Sequence, residues 1–220
     1  WDVGALTDSE KMIPAGPSFL GTESLEYISL TLNTAKRLGL DIGLFASSSW
    51  NAGGLWIDEA NASKELLSVT QIVTGPSDKK ITIGNPKLSS SDAKAYTLIT
   101  SIAVPHSAAK EIDYSHNGTV NLDQFTTENK VINWKIPEGK WDIISFFMAN
   151  TGQKLECPSP NSDGLIIDHL SRRATKRDFD TILTRLATVM TPENQLKFLE
   201  LDSYEVWAAR DWTPDFLEQF

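Results

Sequence analysis

The stretch LKFLELDSYEVWAARDWTPDFLEQF, residues Leu196–Phe220, joins a short apolar run to a group of acids and aromatic residues. The apolar run, Phe198 to Leu201, ends abruptly at Asp202, and Glu205 follows shortly after. In an α/β barrel, catalytic groups lie at the carboxyl ends of strands, where loops surround the substrate and the strand holds the group in place. Asp202 and Glu205 are therefore candidate site residues, although two solvated loop acids would give the same pattern.

Tryptophans accompany these acids and a second polar loop. Trp207 and Trp212 flank the charged turn that follows Glu205, and Trp50 lies in the serine- and glycine-rich loop from Ser47 to Trp56. A glycine pair lets the backbone turn tightly, and tryptophans beside it can form an apolar wall on which a sugar face stacks. We predict substrate contacts for all three tryptophans; for the loop that carries Trp50, a structural loop whose tryptophans cap the barrel is the alternative.

The first part of the chain alternates helical and strand patterns. Thr22 to Leu38 carries an apolar stripe at helical spacing, and Gly39 follows at the position of a left-handed cap. Leu40 to Ala46 reads as a buried parallel strand. Next, the pattern predicts a helix from Glu59 to Leu67 and a strand beginning at Val69 to Val73.

The middle of the chain is rich in strand patterns. Runs from Tyr96 to Val104 and from Trp141 to Ala149 suit antiparallel strands. Val131 to Ile136 alternates polar and apolar residues, and Pro137-Glu138-Gly139 follows, which predicts a β-hairpin with the run from Trp141. We interpret this region as an inserted β-rich subdomain.

The last part returns to alternating strands and helices. Gly164 to Asp168 is a short apolar run ending in an acid, and Ser171 can cap a long helix after it. Thr191-Pro192 and Thr213-Pro214 match a cap followed by proline at the first helical position.

These elements predict an α/β fold: part of a (β/α)₈ TIM-type barrel with an inserted antiparallel β-rich subdomain. We predict the first part of the barrel at residues 1–75, the insert at 76–155, and the resumed, truncated barrel at 156–220. A whole barrel takes about 250 residues. We therefore expect an excised piece whose partner is the missing remainder of its own barrel, and we expect the piece alone to be inactive.

Composition excludes several classes of partner. The net charge is −9, from 20 lysines and arginines against 29 acids, so the basic stripe that nucleic-acid binding requires is not expected. No apolar run approaches the roughly 18 residues of a membrane span. Cys157 is the single cysteine, which excludes an internal disulfide and a thiolate metal cluster.

Several motifs together resemble the α-L-rhamnosidases of glycoside hydrolase family 106. They occur in the family's order: RLGLDIGL (Arg37–Leu44), SWNAGGLWI (Ser49–Ile57), PEGKW (Pro137–Trp141), GLIIDHLS (Gly164–Ser171), DSYEV (Asp202–Val206) and DWTPDF (Asp211–Phe216). The resemblance implies a (β/α)₈ catalytic domain, calcium-assisted binding with unknown metal ligands, and hydrolysis of terminal α-L-rhamnosyl linkages with inversion. It also implies a periplasmic or secreted enzyme of bacteria that degrade plant polysaccharides.

The resemblance assigns roles to particular residues. Glu205 matches the family's strand-end glutamate and becomes the candidate catalytic carboxylate. Asp202 and Glu205 tend to point to opposite sides of an extended segment, so the second carboxylate is expected from the missing remainder. Asp168 is a candidate for substrate or calcium contact, because hard cations take carboxylate oxygens; an acid stabilised by the helix dipole is its alternative.

This chain also departs from the family pattern. Ser49 and Leu55 replace glycine and proline, Ile166 stands where glutamate is usual, and Phe45 and Ala46 replace polar residues. The substitutions at Phe45, Ala46 and Ile166 leave a second hypothesis open, a non-catalytic carbohydrate-binding protein derived from the same barrel. A retaining glycosidase would require two strand-end glutamates about 5–5.5 Å apart, and one suitable glutamate is visible.

Overall fold

The computed structural model describes residues 16–90, 95–107, 118–208 and 210–219 as a mixed α/β structure rich in strands. The helices are α1 (Thr22–Leu38), α2 (Arg172–Leu186) and α3 (Phe216–Gln219). The strands are β1 (Gly43–Phe45), β2 (Gly53–Gly54), β3 (Lys64–Ser77), β4 (Ile81–Thr82), β5 (Tyr96–Pro105), β6 (Val120–Asn121), β7 (Val131–Ile132), β8 (Ile136–Asn150), β9 (Leu165–Ile166), β10 (Phe198–Glu200) and β11 (Asp211–Trp212). Short 3₁₀ turns occupy Asp123–Phe125 and Pro160–Ser162.

The chain divides into two compact units. The first, which we call the site unit, lies within Trp1–Ser63 and Gly152–Trp207. The second, which we call the sheet unit, lies within Lys64–Thr151 and Ala208–Phe220. The domain division predicted from the sequence uses other bounds and stays a prediction.

Helix α1 of the site unit confirms the predicted helix, although Leu38, at the end of its apolar stripe, is 61% exposed. Leu25, Leu32 and Ala35 are buried along one face. The helix ends at Gly39, which has φ +66°, and the Leu40 N–H donates to the carbonyl oxygen of Ala35 at 2.9 Å. Glycine takes this left-handed conformation without the steric cost that a Cβ would bring.

Strands β1 and β10 form a parallel pair, with Leu44 opposite Leu199. Both strands were predicted, and both are shorter than the apolar runs that predicted them. The Ala46 N–H donates to the carbonyl oxygen of Glu200 at 2.8 Å, so the pairing continues at the carboxyl end. Because the strands are parallel, the segments that follow them leave from the same edge.

Strands β2 and β9 pair closely in the same unit, with Gly53 opposite Ile166. A Cβ on Gly53 would lie 2.3 Å from the carbonyl oxygen of Leu165, so any larger residue would clash with the backbone. Strand β9 confirms the short strand predicted at Gly164 to Asp168. Helix α2 follows it, and the Ser171 hydroxyl accepts from the Ala174 N–H at 3.3 Å, as the predicted cap requires.

The sheet unit contains a five-stranded antiparallel sheet with the order β11-β3-β8-β5-β6. Its two long strands, β3 and β8, pair from Lys64 opposite Asn150 to Ser77 opposite Ile136. The core beside this sheet consists of fully or nearly fully buried apolar side chains: Ile81, Ile83, Ala103, Leu122, Ile132, Trp134, Ile136, Ile143 and Phe147. The strands predicted at Tyr96 to Val104 and Trp141 to Ala149 are confirmed as parts of β5 and β8.

The helix predicted from Glu59 to Leu67 is wrong. Asp58 does accept the Asn61 N–H at 3.0 Å, but this closes a turn and starts no helix. From Lys64 onward the chain is strand β3, whose side chains alternate in burial along most of its length. Pairing with β8 overrides the local helical spacing, since tertiary context outweighs a weak propensity.

The predicted hairpin is also wrong, because Pro137-Glu138-Gly139 lies within the continuous strand β8. Ile132 pairs with Ile81 of β4 rather than with the following run. The turn-forming residues instead accompany an irregularity in the ladder, where the register shifts between Gly75 and Ser77. Glycine and proline inside a strand commonly mark such a bulge.

The two Thr-Pro patterns, which both predict the start of a helix, are followed by different structures. No helix follows Thr191-Pro192, since the Asn194 N–H closes a turn on the Thr191 carbonyl at 3.0 Å and β10 begins soon after. The helix predicted after Thr213 is present as α3, but it begins at Phe216. Among the residues described, β1 and β10 are the one parallel strand pair, so the partial barrel stays a prediction.

Candidate active site

The carboxyl ends of β1 and β10 bring two segments of the site unit together. One segment is residues 47–52 after β1, and the other is residues 201–207 after β10. The Ser203 N–H donates to the carbonyl oxygen of Trp50 at 3.2 Å. Three predicted site residues, Trp50, Asp202 and Glu205, therefore lie on neighbouring segments at one edge.

The Asn51 side chain holds the backbone of Glu205. Its Oδ1 accepts from the Glu205 N–H at 2.8 Å, and its Nδ2 donates to the Glu205 carbonyl oxygen at 3.1 Å. Asn51 is 1% exposed, so these bonds are shielded from water. One buried amide thus satisfies both polar backbone groups of Glu205, as a neighbouring strand would.

A second buried amide, that of Gln153, acts on the same segment. Its Nε2 donates to the Glu205 carbonyl oxygen at 2.7 Å, and its Oε1 accepts from the Trp207 N–H at 2.9 Å. The Gln153 carbonyl accepts from the Ile166 N–H at 3.2 Å, which ties this residue to β9. The backbone from Glu205 to Trp207 is therefore anchored by two side chains from separate parts of the unit.

The carboxylates of Asp202 and Glu205 lie on a held backbone but face solvent. Both residues are exposed, and residues 201–208 have no regular secondary structure. An accessible carboxylate can exchange protons with a substrate or with water, which is the requirement for general acid–base chemistry. Glu205 is accessible in this way, and its catalytic role stays a prediction.

The loop that carries Trp50 is fixed by its serines. The Ser47 hydroxyl donates to the Asn51 carbonyl at 2.6 Å, and the Ser49 hydroxyl donates to the Glu156 carbonyl at 2.5 Å. These bonds replace a regular ladder in holding the loop. The Trp50 side chain is half-buried, so part of its surface remains open.

Asp168 lies in the turn between β9 and α2 and is 3% exposed. Its Oδ1 accepts from the Leu170 N–H at 3.1 Å, and its N–H donates to the Asn61 carbonyl at 2.8 Å. These bonds show a role in shaping the turn. Contact of Asp168 with a substrate stays a prediction.

A ring contact joins this turn to the segment after β10. His169 and Tyr204 meet edge to face, with ring centroids 4.5 Å apart and an interplanar angle of 79°. Sequence reasoning did not single out either residue, although both lie within the family-like motifs GLIIDHLS and DSYEV. It also missed Asn51, within the motif SWNAGGLWI, and Gln153, for which no motif gave a signal.

The two other predicted tryptophans lie in different units. Trp207 of the site unit is 69% exposed, while its N–H is held by Gln153. Trp212 belongs to β11 of the sheet unit, is 9% exposed, and stacks on Phe216 with centroids 4.6 Å apart. This position favours packing for Trp212, and its predicted substrate contact stays untested. The site unit therefore contains Trp50, Asp168, Asp202, Glu205 and Trp207.

The residues described do not fit a calcium site on their own. Across these ranges, no group of three or more histidine, cysteine, aspartate or glutamate side chains is placed to hold a metal ion. Calcium requires several oxygen ligands, and the Oδ1 atom of Asp168 already accepts a backbone N–H. Calcium assistance therefore stays a prediction.

A buried carboxyl lies near the glycine pair. The Oδ1 of Asp178 on α2 accepts from the Trp56 Nε1–H at 2.6 Å. Burial raises the pKa of Asp178 to about 6, and the Trp56 hydrogen bond opposes this rise. Because the Asp178 side chain is fully enclosed, this carboxyl is a structural group with an unusual pKa.

No helix in the described part of the chain is long and apolar enough to cross a membrane.

Two known proteins resemble this chain. A solved rhamnosidase from Novosphingobium sp. PP1Y has a similar fold, with a TM-score of 0.70 at 12% identity, over 94% of this chain and 36% of that one. A protein of Formosa agariphila named "Putative beta-glucuronidase" is 25% identical over 240 residues, covering 94% of this chain and 20% of the relative. This chain thus spans about a fifth of the length of that curated relative.

The family model for glycoside hydrolase 106, α-L-rhamnosidase, matches residues 93–220, which is more than half of the chain. The matched range includes Gln153, Asp168 and Glu205. The chain belongs to glycoside hydrolase family 106, the α-L-rhamnosidase family.

Proposed function

We propose that this chain carries part of the active site of a glycosidase that releases terminal α-L-rhamnosyl residues from plant-type polysaccharide or glycan side chains. In this proposal Glu205 is one of the two catalytic carboxylates. Family membership supports the reaction class. The observation that carries the assignment is the exposed Glu205 side chain on a backbone held by two buried amides beyond the parallel pair β1–β10.

The proposed reaction inverts the anomeric carbon. One carboxylic acid protonates the leaving oxygen while a second carboxylate takes a proton from the attacking water, the two standing roughly 6.5–9.5 Å apart. Glu205 takes one of these roles, and its partner comes from another part of the enzyme. Asp202 contributes a substrate contact from the same segment.

Aromatic rings bind the sugar in this proposal. The exposed ring of Trp207 and the half-buried ring of Trp50 supply apolar faces on which a deoxysugar can stack. Asp168 and Trp212, which are both buried, are proposed as further contacts. The proposal includes a periplasmic or secreted location, after the family's usual setting.

The proposed architecture is a partial (β/α)₈ barrel that the rest of the enzyme completes. The parallel pairing of β1 and β10 and the fold similarity to a rhamnosidase support it. Because the chain covers a minor share of its relatives, we assign the activity to the full-length protein and expect the isolated chain to be inactive.

The test is rhamnose release from an aryl α-L-rhamnoside by the full-length protein, with calcium added. We expect Glu205→Gln to lower kcat by several orders of magnitude, since loss of a catalytic carboxylate removes proton transfer and charge stabilisation. Glu193→Gln is the matched control, because Glu193 is an exposed acid of the same unit that lies before β10 begins. Equal activity of wild type and Glu205→Gln would refute the catalytic role.

A second candidate function is a non-catalytic carbohydrate-binding protein. It is favoured by Ile166, which is fully buried where the family usually has glutamate. An inactive wild type that still binds rhamnosides would support it. An aryl β-glucuronide should be assayed in parallel, because the Formosa relative is named for that activity; turnover of this substrate alone would replace the rhamnosidase proposal.

A further inference from the structure

We propose that Asn51 and Gln153 are positioning residues that aim the Glu205 carboxylate. The inference rests on the proposed function of Glu205 and adds two side chains, outside the carboxylates and tryptophans, to the machinery. Together these amides form what we call the amide clamp: Asn51 and Gln153 bonded to the backbone of Glu205 and Trp207.

The clamp saturates the backbone at the catalytic position. The Glu205 carbonyl oxygen receives two donors, Asn51 Nδ2 at 3.1 Å and Gln153 Nε2 at 2.7 Å. A carbonyl oxygen has two lone pairs, so both are used. The N–H groups of Glu205 and Trp207 are held by the same two side chains.

The donors approach from different elements, which fixes the segment in more than one direction. Asn51 follows β1, and Gln153 precedes β9. Residues 201–208 have no regular secondary structure, so these side-chain bonds stand in for a strand ladder. A catalytic group on an irregular segment needs such support if its carboxylate is to stay in productive geometry.

The chemistry explains why both residues are amides. Asparagine and glutamine present a donor and an acceptor on one planar group. A carboxylate of the same shape would retain the acceptor and lose the donor to the Glu205 carbonyl. Both amides are buried, at 1% and 7% exposure, so an unpaired group would be costly in either position.

The experiment uses the full-length protein with Asn51→Asp, Gln153→Glu and the double variant. Each single change keeps the bond to an N–H and removes one donor to the Glu205 carbonyl oxygen. We expect kcat per folded molecule on an aryl α-L-rhamnoside to fall about 10-fold for each single variant and about 100-fold for the double. A displacement of a catalytic group by about 1 Å can lower the rate about 100-fold. KM should change by less than about 3-fold, since the side chains that contact sugar remain.

A second readout does not depend on the reaction. Amide hydrogen exchange of residues 204–207 should speed up in the clamp variants, because the Glu205 carbonyl oxygen loses its donors and the segment opens more often, although the acceptors of its N–H groups remain. The matched control is Asn194→Asp: Asn194 is also a buried amide of the site unit, and it donates to Asn33 Oδ1 at 2.8 Å instead. The control should leave both kcat and the exchange of residues 204–207 unchanged.

The outcomes separate the two proposals. Wild-type kcat and wild-type exchange in the double variant would overturn the clamp. The wild type could instead be inactive while exchange at 204–207 still speeds up in the clamp variants and not in Asn194→Asp. That result would refute the proposed function and support the bonds from Asn51 and Gln153 to the Glu205 backbone. If Asn51→Asp fails to fold, Gln153→Met replaces it, because methionine fills the space of Gln153 without a donor; an unchanged kcat for Gln153→Met would overturn the clamp equally.

Discussion

The sheet unit and the site unit satisfy their backbones in different ways. In the sheet unit, β3 and β8 run for 14 and 15 residues and pair with each other along nearly their whole length. In the site unit, β1, β2, β9 and β10 have only two or three residues each. Side chains of asparagine, glutamine, serine and aspartate there take over much of the bonding that a ladder supplies elsewhere.

The two arrangements suit different roles, and the second is better suited to carrying a site. A ladder fixes the backbone but leaves its side chains in strict alternation on two faces. A loop held by buried side chains is free of this alternation, so neighbouring side chains can point to the same side. Residues 201–207 are such a loop. Functional residues are often found on loops that a rigid scaffold positions. Substitutions in the sheet unit should therefore act on packing, and substitutions in the site unit on individual polar contacts.

The largest effect on stability is expected from the sheet unit. Phe147 on β8 is fully buried and meets Tyr96 edge to face at 5.5 Å. Phe147→Ala should lower the free energy of unfolding by about 3–5 kcal/mol, through lost transfer energy and the cavity that remains. Denaturant unfolding of the full-length protein, combined with hydrogen exchange of β3 and β8 peptides, measures this loss.

The matched control for Phe147→Ala is Phe198→Ala in the site unit. Phe198 is 58% exposed, so its truncation should change stability by less than about 0.5 kcal/mol. Equal losses for the two phenylalanines would contradict the view that the ladder-bound sheet carries the main apolar core.

Elements that nearby residues specify could be predicted from the sequence, and elements that depend on distant partners could not. Helix α1 and its Gly39 cap could be predicted because one apolar stripe and one glycine specify them locally. Strand β3 could not be predicted at its beginning, since Glu59 to Leu67 has helical spacing and only the distant strand β8 makes it extended. Pro137 to Gly139 gave the wrong prediction of a hairpin for the same reason. These residues are typical of a turn, but pairing with the long strand β3 keeps them extended beside a bulge.

The candidate site, too, could be predicted only in part from the sequence. Glu205, Asp202 and Trp50 could be placed near one another because strand ends in an α/β fold share an edge. Asn51 and Gln153 could not be predicted as partners of Glu205, because they are separated by 154 and 52 residues from it in the chain. A side chain that bonds to a distant backbone leaves no periodic pattern in the sequence.

A smaller effect is expected from the buried Asp178 of the site unit, and it depends on pH. Burial raises the pKa of Asp178 to about 6 in the folded chain, against 3.8 as its ordinary value. The folded state therefore binds this proton more tightly, so the contribution of Asp178 to stability is fully present below about pH 4 and is lost as pH rises through 6. The penalty above pH 6 is about 2–3 kcal/mol, at about 1.4 kcal/mol for each pKa unit.

Asp178→Asn should remove this slope, because an amide carries no charge at any pH while its oxygen still accepts from Trp56. Protection of α2 amides against hydrogen exchange between pH 4 and 7.5, corrected for intrinsic rates, measures the slope. Asp180→Asn is the control on the same helix, since Asp180 is exposed and pairs with Lys176. An exposed pair contributes about 0–1 kcal/mol. A slope that survives Asp178→Asn would assign the pH dependence to another group.

The smallest loss of stability is expected from removing an asparagine that bonds to a nearby aspartate, and each unit contains such a pair. In the site unit, Asn61 is buried, donates to Asp58 Oδ1 at 2.7 Å and accepts from Arg173 Nε at 3.0 Å. In the sheet unit, the exposed Asn121 donates to Asp123 Oδ2 at 3.2 Å and accepts from the Asp123 N–H at 2.7 Å. Asn61→Ala should cost about 1–2 kcal/mol, because it removes two part-buried hydrogen bonds made by a buried side chain. Asn121→Ala should cost less than about 0.5 kcal/mol, because water can replace its bonds.

A second readout of Asn61→Ala follows from the charge on Asp58. Burial alone would raise the pKa of Asp58, but hydrogen bonds from the Asn61 side chain and N–H, together with the Arg177 guanidinium, hold it below its ordinary value. Loss of the Asn61 amide should therefore raise the pKa of Asp58, so its stabilising ionisation is lost at a higher pH as the solution is acidified. Thermal unfolding of both variants between pH 3 and 7 measures this change. Equal losses for Asn61→Ala and Asn121→Ala at every pH would show that the polar contacts of the site unit are no more important than solvated surface bonds, and the contrast between the two units would fail.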